Sequence, residues 1–349
     1  MNHKYYKKVA LVIIDGLGVA PHGHGNAVTS AKTPILDYLV SNFPSLTLQA
    51  SGPLVGLPWG EMGNSEVGHL NLGAGRIVSQ ELPRITNAIQ SGEFFKNKVF
   101  LEAFEHSKKH NSAFHIIGMV SPGGVHSLDE HVYALLAMAQ QNGLRKVFIH
   151  MFTDGRDTEP KVALQSLLRL NQKIQEIGVG KIATISGRFY AMDRGGHWQQ
   201  TKLAYDAMVK GEGETANSPE ECIQNNYQKQ IFDEMIKPTV ILADGLPMAK
   251  ISDNDSVVFI NFRQDRALQL AQAFMEPQNC LEKITDRALQ NLFFVTMTKY
   301  GHGLPVHVAF ESVDLGNSLP QVISKANLKQ FHISESEKYA NVTVFFDCR

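Results

Sequence analysis

A serine set among glycines is the first candidate for chemistry. Ser65 lies in GEMGNSEVGHLNLGAGR, residues 60–76, which has glycine at 60, 63, 68, 73 and 75. A helix that starts at Ser65 to Glu66 would offer its first N–H groups to an anion, and the glycines would leave room for a phosphoryl group against the backbone. A serine hydroxyl reacts poorly until a base or a metal activates it, and no GxSxG elbow is present. A serine that only caps a helix is the alternative.

Asp15 is the second candidate, because it closes the apolar run VALVIID, residues 9–15. An acid there is costly unless it is paired or bound to a metal. Its carboxylate suits a hard divalent cation, which could activate Ser65. A helix N-cap is the alternative interpretation.

Basic residues recur in three short motifs, TDGRDTEP, GRFYAMDR and NFRQDR. Arginine forks bind phosphate or carboxylate oxygens in a bidentate manner, which lysine does less well. The candidates for an anion site are Arg156 with Asp157, Arg188 with Arg194, and Arg263 with Arg266. Ordinary ion pairs, such as Arg188 with Asp193 or Arg266 with Asp265, are the alternative for any single arginine.

His126, in SPGGVHS, is a further candidate for a catalytic or ligand-binding role, although a lone histidine is more often structural. Asp154, in TDGRD, is interpreted as a residue that serves the geometry of an Asp-Gly turn.

Strands must position these groups. Apolar, β-branched runs predict strands at 9–15, 113–120, 146–152, 181–186, 255–261 and 291–297. Helical patterns occupy 127–143, with a capping box from Ser127 to Glu130, and 160–178, which ends at Gly178. Alternating strands and helices predict an α/β fold with a parallel sheet, in which ligands bind beyond the carboxyl ends of the strands. The candidate residues follow such ends.

Bulk properties are those of a globular protein of one large or two smaller domains. The 349 residues carry a formal net charge of -1, which does not indicate nucleic acid or an anionic membrane as a partner. Three well-separated cysteines fit a reducing cytoplasm. Val9–Ile14 is too short for a signal peptide, and no apolar stretch could span a bilayer. We therefore expect a soluble, cytoplasmic protein.

Eight ordered blocks together resemble the cofactor-independent, or 2,3-bisphosphoglycerate-independent, phosphoglycerate mutases. They run from residue 9 to about 346: VALVIIDGLG, GNSEVGHLNLGAGR, VHSLDEHVYAL, FTDGRDTEP, SGRFYAMDR, NFRQDRALQL, MTKYG and SESEKYANVTVFF. The resemblance implies an isomerase of glycolysis and gluconeogenesis that interconverts 3-phosphoglycerate and 2-phosphoglycerate through a phosphoserine. It also implies two divalent cations, usually manganese, a small-molecule substrate and a monomer.

The resemblance further implies an alkaline-phosphatase-like domain, residues 1–78 and 311–349, with an inserted α/β substrate-binding domain at 79–310. It makes Ser65 the phosphorylated nucleophile and a metal ligand, and Asp15 a metal ligand beside it. The implied substrate-binding set is His126, Arg156, Asp157, Arg188, Arg194, Arg263, Arg266 and, near the phosphoryl group, Lys338. Asn341 stands where the family usually has histidine.

Family chains continue well past the VTVFF block, and that remainder carries further Asp and His metal ligands. Here DCR follows, and His332 is the one histidine after residue 310. The expectation is a C-terminally incomplete phosphatase-like domain that lacks those ligands. Two alternatives follow: an inactive fragment that still binds phosphoglycerate, and a metal-dependent phosphomonoesterase that releases inorganic phosphate.

Overall fold

The computed structural model describes residues 8–280, 282–285, 287–301 and 303–348. The chain divides into two compact units. The first comprises Met1–Gln80 and Asp314–Arg349, and the second comprises Glu81–Val313.

The first unit is helical and irregular, and its described part contains no β-strand. Its α-helices are α1 (Ala27–Ser30), α2 (Pro34–Asn42) and α3 (Ser65–Ala74). The second unit contributes α4 (Glu81–Ser91), α5 (Lys98–His110), α6 (Asp129–Gln141), α7 (Ala163–Ile177), α8 (Arg188–Ala191), α9 (Trp198–Val209), α10 (Pro219–Gln228) and α11 (Leu268–Met275). Helix α12 (Leu319–Lys325) returns to the first unit, as do a short 3-10 turn at Ser336–Lys338 and a π-helical turn at Asn341–Phe345.

The second unit is built on one mixed sheet. Its strands are β1 (Phe114–Met119), β2 (Val147–Thr153), β3 (Lys181–Gly187), β4 (Glu214–Ala216), β5 (Thr239–Ala243), β6 (Leu246–Pro247), β7 (Ser256–Phe259), β8 (Phe293–Thr298) and β9 (His307–Phe310). Their order is β4-β5-β3-β2-β1-β7-β8-β9, with β6 beside β5. Pairing is parallel except at β3–β5 and β5–β6.

The strand order reverses between β1 and β7. From β1 the chain adds β2 and β3 on one side, and it later adds β7, β8 and β9 on the other. Such a switch point opens a crevice at the carboxyl ends of the strands, where α/β proteins bind ligands.

Both faces of this sheet are covered. Ile116 and Ile149 point into one apolar cluster, whereas Ile117 and Phe152 point into a second cluster. Burial on both faces explains why these strands are continuous apolar runs rather than alternating ones. The α/β fold that the sequence predicts is confirmed in this unit.

The strands predicted at 113–120, 146–152, 181–186, 255–261 and 291–297 are confirmed as β1, β2, β3, β7 and β8. The strand predicted at 9–15 is wrong, because Val9–Ile14 has no regular secondary structure and no partner strand in the described residues. Val9 is 87% and Val12 78% exposed. A β-branched run becomes a strand only where a neighbour pairs with its backbone.

The two predicted helices are confirmed as α6 and α7, and Gly178 ends α7 in the left-handed conformation. The predicted capping box is wrong. Leu128, not Ser127, is the N-cap of α6, and the Ser127 hydroxyl donates to the carbonyl of Met119. At α7, the carboxylate of Asp233 accepts from the N–H groups of Val162 and Ala163, both at 2.8 Å, and so caps a helix whose own sequence has no capping side chain.

Candidate active site

In the first unit, Ser65 is the first residue of α3, as predicted. Asn64 caps the helix by accepting from the N–H of Val67 at 2.9 Å. Ser65 is therefore not the cap, and its hydroxyl remains available for other contacts.

Three of the side chains that contact the Ser65 hydroxyl come from far along the chain. Ser65 Oγ donates to Asp15, which the sequence predicts beside it. It accepts from Lys338 Nζ at 3.0 Å and from Asn341 Nδ2 at 2.9 Å. Because Lys338 also pairs with Asp15, hydrogen bonds from Lys338 and then from Ser65 lower the pKa of the Asp15 carboxyl below its ordinary value. A carboxylate and an amino group thus both contact the same hydroxyl.

His69 lies one turn along α3, and its Nδ1 is 2.8 Å from the carbonyl oxygen of Ser65. A carbonyl can only accept, so Nδ1 carries the proton and donates. That nitrogen, 3.4 Å from Ser65 Oγ, cannot then remove the hydroxyl proton. The arrangement therefore differs from a serine–histidine pair, and Asp15 is the acceptor.

The described residues do not form a complete metal centre. Asp15 and Ser65 supply two oxygens, but the Lys338 ammonium already contacts both side chains. Across residues 8–280, 282–285, 287–301 and 303–348, no group of three or more His, Cys, Asp or Glu side chains could hold a metal ion. A hard cation needs more oxygen or nitrogen ligands than these two.

Glycines near Ser65 have a packing role that the sequence did not indicate. A Cβ at Gly63 would lie 1.7 Å from the carbonyl oxygen of Ala50, and one at Gly73 would lie 1.9 Å from that of Phe346. These two glycines let backbone segments approach each other, rather than leaving room for a phosphoryl group.

In the second unit, the loops after β1, β2, β3 and β7 carry the other candidates. These four strands are neighbours in the sheet. His126 follows β1, Arg156 and Asp157 follow β2, and Arg188 opens α8 directly after β3. Arg263 and Arg266 follow β7, and Arg194 lies in the loop after α8. The sheet therefore collects these residues at one edge.

Arg188 is the centre of this group and is 3% exposed. Its Nη1 donates to Asp154 at 2.7 Å and to Asp157 at 2.6 Å, and its Nη2 donates to His126 Nε2 at 2.9 Å. Its Nε–H is buried and has no partner in the described part of the chain. The predicted alternative, an ion pair between Arg188 and Asp193, does not form; Asp193 instead accepts from His197.

His126 is neutral at pH 7, because burial and then the Arg188 charge lower its pKa to about 4. Arginine cannot accept a hydrogen bond, so Nε2 is the unprotonated nitrogen and Nδ1 carries the hydrogen. That Nδ1 is buried and has no partner among the described residues. His126 and Arg188 thus each have a buried N–H donor that makes no hydrogen bond within the described part of the chain.

Asp265 ties together two further arginines. It accepts from Arg194 Nη1 at 2.6 Å and from Arg263 Nε at 3.0 Å. Arg266 donates to the backbone of Met192 at 3.4 Å, and burial followed by the charges of Arg194, Arg188 and Arg156 lowers its pKa. Arg156 is half-exposed and lies 3.5 Å from Glu234.

Sequence reasoning missed four residues of these clusters: Asp154, Asp265, His69 and Asn341 as a hydroxyl partner. Asp265 lies between two arginines in NFRQDR, and Asp154 opens TDGRD, so proximity to basic residues was the available signal. Asn341 is 276 positions from Ser65, and no local pattern indicates that contact.

The second unit is an α/β domain with arginine-rich loops at the carboxyl ends of its strands, where proteins of this class bind their ligands. Comparison with known proteins makes the class specific. Residues 85–302 match the family described as the BPG-independent PGAM N-terminus. The chain belongs to the family of BPG-independent phosphoglycerate mutases.

Two similar proteins support this family assignment. The 2,3-bisphosphoglycerate-independent phosphoglycerate mutase of Acetivibrio thermocellus is 48% identical over 342 residues, covering 98% of this chain and 67% of the relative. That of Clostridium novyi is 49% identical, covering 98% and 66%. The chain thus spans about two thirds of the length of these relatives.

A solved structure, the phosphoglycerate mutase of Leishmania mexicana at low cobalt concentration, is similar with a TM-score of 0.70 and 29% identity, covering 96% of this chain and 63% of that one. This likeness confirms the predicted fold class, an alkaline-phosphatase-like α/β protein with an inserted α/β domain. No helix in the described ranges is long and apolar enough to cross a membrane.

Proposed function

We propose that this chain carries the substrate-binding and phosphoryl-acceptor groups of a phosphoglycerate mutase, which interconverts 3-phosphoglycerate and 2-phosphoglycerate in the cytoplasm. The observation that carries the proposal is the Ser65 hydroxyl, which donates to Asp15 and accepts from Lys338 and Asn341. Nothing in ordinary helix formation requires three such partners at one serine.

The ligand's chemistry suits the second unit. Phosphoglycerate has a phosphate and a carboxylate, and arginine forks bind both groups well. The Nε–H of Arg188 and the Nδ1–H of His126 are buried donors without a partner among the described residues, and an anionic oxygen would satisfy them. A neutral His126 can donate without adding charge, and it pairs with Arg188 rather than repelling it.

At Ser65, a bond from Oγ to phosphorus forms as the bond from phosphorus to the substrate hydroxyl oxygen breaks. Asp15 accepts the Oγ proton, while Lys338 and Asn341 donate to Oγ as it gains negative charge. The departing glycerate oxygen takes up a proton from water and becomes a hydroxyl group. The reverse step on the neighbouring hydroxyl of glycerate releases Ser65 and gives the isomer.

Family membership implies metal dependence, and the structure of the Leishmania mexicana relative was solved at low cobalt concentration. We propose divalent cations, manganese first, near Asp15 and Ser65. A bound cation would lower the pKa of a serine hydroxyl and offset phosphoryl charge. Since the described residues do not complete such a site, the steps above are assigned to the chain's own side chains.

The proposal is tested by recording ³¹P NMR spectra of 3-phosphoglycerate incubated with the purified chain, with and without manganese. The proposal expects the 2-phosphoglycerate resonance to grow and Ser65→Ala to abolish it, while Ser91→Ala, an exposed serine that ends α4, leaves it unchanged. Equal turnover by the Ser65→Ala variant would refute the nucleophile, and release of inorganic phosphate as the main product would indicate a phosphomonoesterase.

A second candidate is phosphoglycerate binding without turnover. The incomplete metal centre in the described residues favours it. Calorimetry would then detect binding of 3-phosphoglycerate, weakened by Arg188→Ala, while the NMR spectrum stayed constant in added manganese.

A further inference from the structure

We infer that Asp154 is the positioning residue of the anion site in the second unit. Its carboxylate links the loops that follow three neighbouring strands, β1, β2 and β3. The inference rests on the proposed function for its ligand, but its structural basis is separate. Sequence reasoning assigned Asp154 to a turn alone, whereas its contacts reach well beyond that turn.

Each oxygen of Asp154 has a separate task. Oδ1 accepts from the N–H groups of Arg156 at 3.2 Å and Asp157 at 3.0 Å, which fixes the loop after β2. The same oxygen accepts from Arg188 Nη1 at 2.7 Å, which reaches the start of α8 after β3. Oδ2 accepts from the Ser121 hydroxyl at 2.7 Å, in the loop after β1.

The loop after β1 is tied to this carboxylate a second time. The N–H of Gly123 donates to Ser121 Oγ at 3.1 Å, and a Cβ at Gly123 would lie 3.3 Å from Asp154 Oδ2. His126 lies three residues further along the same loop and accepts from Arg188. Asp154 therefore contacts both the loop that carries His126 and the side chain of Arg188.

Burial makes these contacts effective. Asp154 is 4% and Arg188 3% exposed, so water cannot replace a lost partner. Burial alone would raise the pKa of Asp154, but hydrogen bonds from the backbone of Asp157, from Ser121 and from Arg188 lower it below the ordinary value. The carboxylate is thus charged at neutral pH.

Asp154 also determines which Arg188 atoms remain free. Asp154 and Asp157 occupy both hydrogens of Nη1, and His126 takes one from Nη2. Nε–H and one Nη2 hydrogen are left for a ligand. Without Asp154, Arg188 has one carboxylate anchor fewer and its orientation is no longer unique.

Two substitutions separate geometry from charge. Asp154→Asn keeps an oxygen for the turn and for Arg188 but removes the charge, whereas Asp154→Ala removes every contact. Calorimetry with 3-phosphoglycerate should show affinity lower by about tenfold in Asp154→Asn and about 100-fold in Asp154→Ala. If Asp154 merely neutralised Arg188, both variants would bind the anion more tightly, which would overturn the inference.

The control is Asp129→Asn. Asp129 is another buried aspartate of the same unit, paired with Arg169 at 3.2 Å and outside the anion site. Its affinity for 3-phosphoglycerate should equal that of the wild type. An equal loss of affinity in this variant would show a general effect of removing a buried charge and would contradict the positioning role.

A second readout needs no substrate. In ¹⁵N-resolved NMR spectra of the free protein, the Arg188 Nη protons should be resolved in the wild type and in Asp129→Asn, and averaged in Asp154→Ala. Resolved signals in Asp154→Ala would refute the inference whatever binds. Averaged signals in that variant, with no phosphoglycerate binding by the wild type, would sustain the positioning role and refute the proposed function.

Discussion

At the scale of single residues, Arg188 shows why arginine rather than lysine occupies the centre of the proposed anion site. Its guanidinium serves two carboxylates and one imidazole at once and still keeps donors free. A lysine ammonium has three hydrogens, so the same three partners would use all of them.

Arg188→Lys should therefore lower the affinity for 3-phosphoglycerate about 10-fold to 100-fold, measured by calorimetry, because no donor is left over for the ligand. Arg169→Lys is the matched control, since Arg169 also pairs with a buried aspartate but lies outside the site. Undiminished binding by Arg188→Lys would show that Arg188 contributes charge alone.

His131 allows a test of burial through acid stability. It is fully buried, neither ring nitrogen has a partner in the described part of the chain, and burial lowers its pKa from 6.5 to about 4. Below pH 6.5 the unfolded chain takes up a proton that the folded protein refuses. Stability from this group is therefore full above pH 6.5 and is lost as the pH falls towards 4.

Between pH 7 and pH 5 the wild type should lose about 2 kcal/mol more unfolding free energy than His131→Leu. Urea denaturation at the two pH values measures the difference. His22→Gln, at an exposed position of the first unit, should follow the wild type. Parallel pH dependence in His131→Leu would mean that His131 is protonated in the folded state.

At the scale of elements, a buried polar chain crosses the sheet from the middle of β3 and β2 to the amino ends of β1 and β7. Thr184 of β3 bonds His150 Nδ1 of β2 at 2.9 Å, and His150 Nε2 meets His115 Nδ1 of β1 at 3.0 Å. His115 Nε2 then meets Asp255, just before β7, at 3.2 Å. The Asp255 carboxylate only accepts, so His115 Nε2 donates to it.

Thr184→Val removes the hydroxyl that pairs with His150 Nδ1. Burial and then His115 lower the pKa of His150 well below its ordinary value, so the ring is neutral and would be left with an unsatisfied buried nitrogen. The cost should be about 1 to 3 kcal/mol of unfolding free energy in urea.

Thr296→Val is the matched control, because Thr296 is equally buried on β8 but its hydroxyl has no partner among the described residues. It should cost little or nothing. If both variants lost the same unfolding free energy, the cause would be the change in side-chain shape within the sheet. The hydrogen bond between Thr184 and His150 would then be excluded as the cause.

Elements with a local signature were predictable from sequence. Strands β1, β2 and β3 are continuous apolar runs, and Gly178 marks the end of α7. Outcomes decided by distant residues were not. The cap of α7 comes from Asp233, and Ser127 bonds Met119 instead of its own helix.

The candidate site, too, was only partly predictable from sequence. Arginines at strand ends could be predicted from residue type and position, whereas their pairing could not. Arg188 pairs with Asp154 and Asp157 rather than with Asp193, which is nearer in sequence, because the parallel strands bring the loops after β2 and β3 together. Pairing follows the sheet, not the distance along the chain.

At the scale of the whole molecule, the two units differ in how they bury apolar side chains. The second unit has a sheet with an apolar cluster on each face, while the first exposes Val9, Leu46, Leu48 and Phe331, each 80% or more. A unit with its own core can fold alone.

A polypeptide of residues 81–313 should therefore fold independently and unfold cooperatively. Circular dichroism and urea denaturation would measure this, with a single transition shared by far-ultraviolet and tryptophan signals. The buried Trp198 supplies that second signal. A non-cooperative transition would show that this unit depends on the rest of the chain.

The bridge from Arg194 through Asp265 to Arg263 has a consequence for selectivity. The Asp265 carboxylate already occupies two guanidinium groups. Because it is attached to the same chain, its effective concentration at these groups is higher than that of a free anion in solution. Singly charged anions such as chloride or acetate compete poorly against it. The dianionic phosphoester proposed as ligand would displace it, so we expect the cell's common small anions to bind poorly at this edge of the sheet.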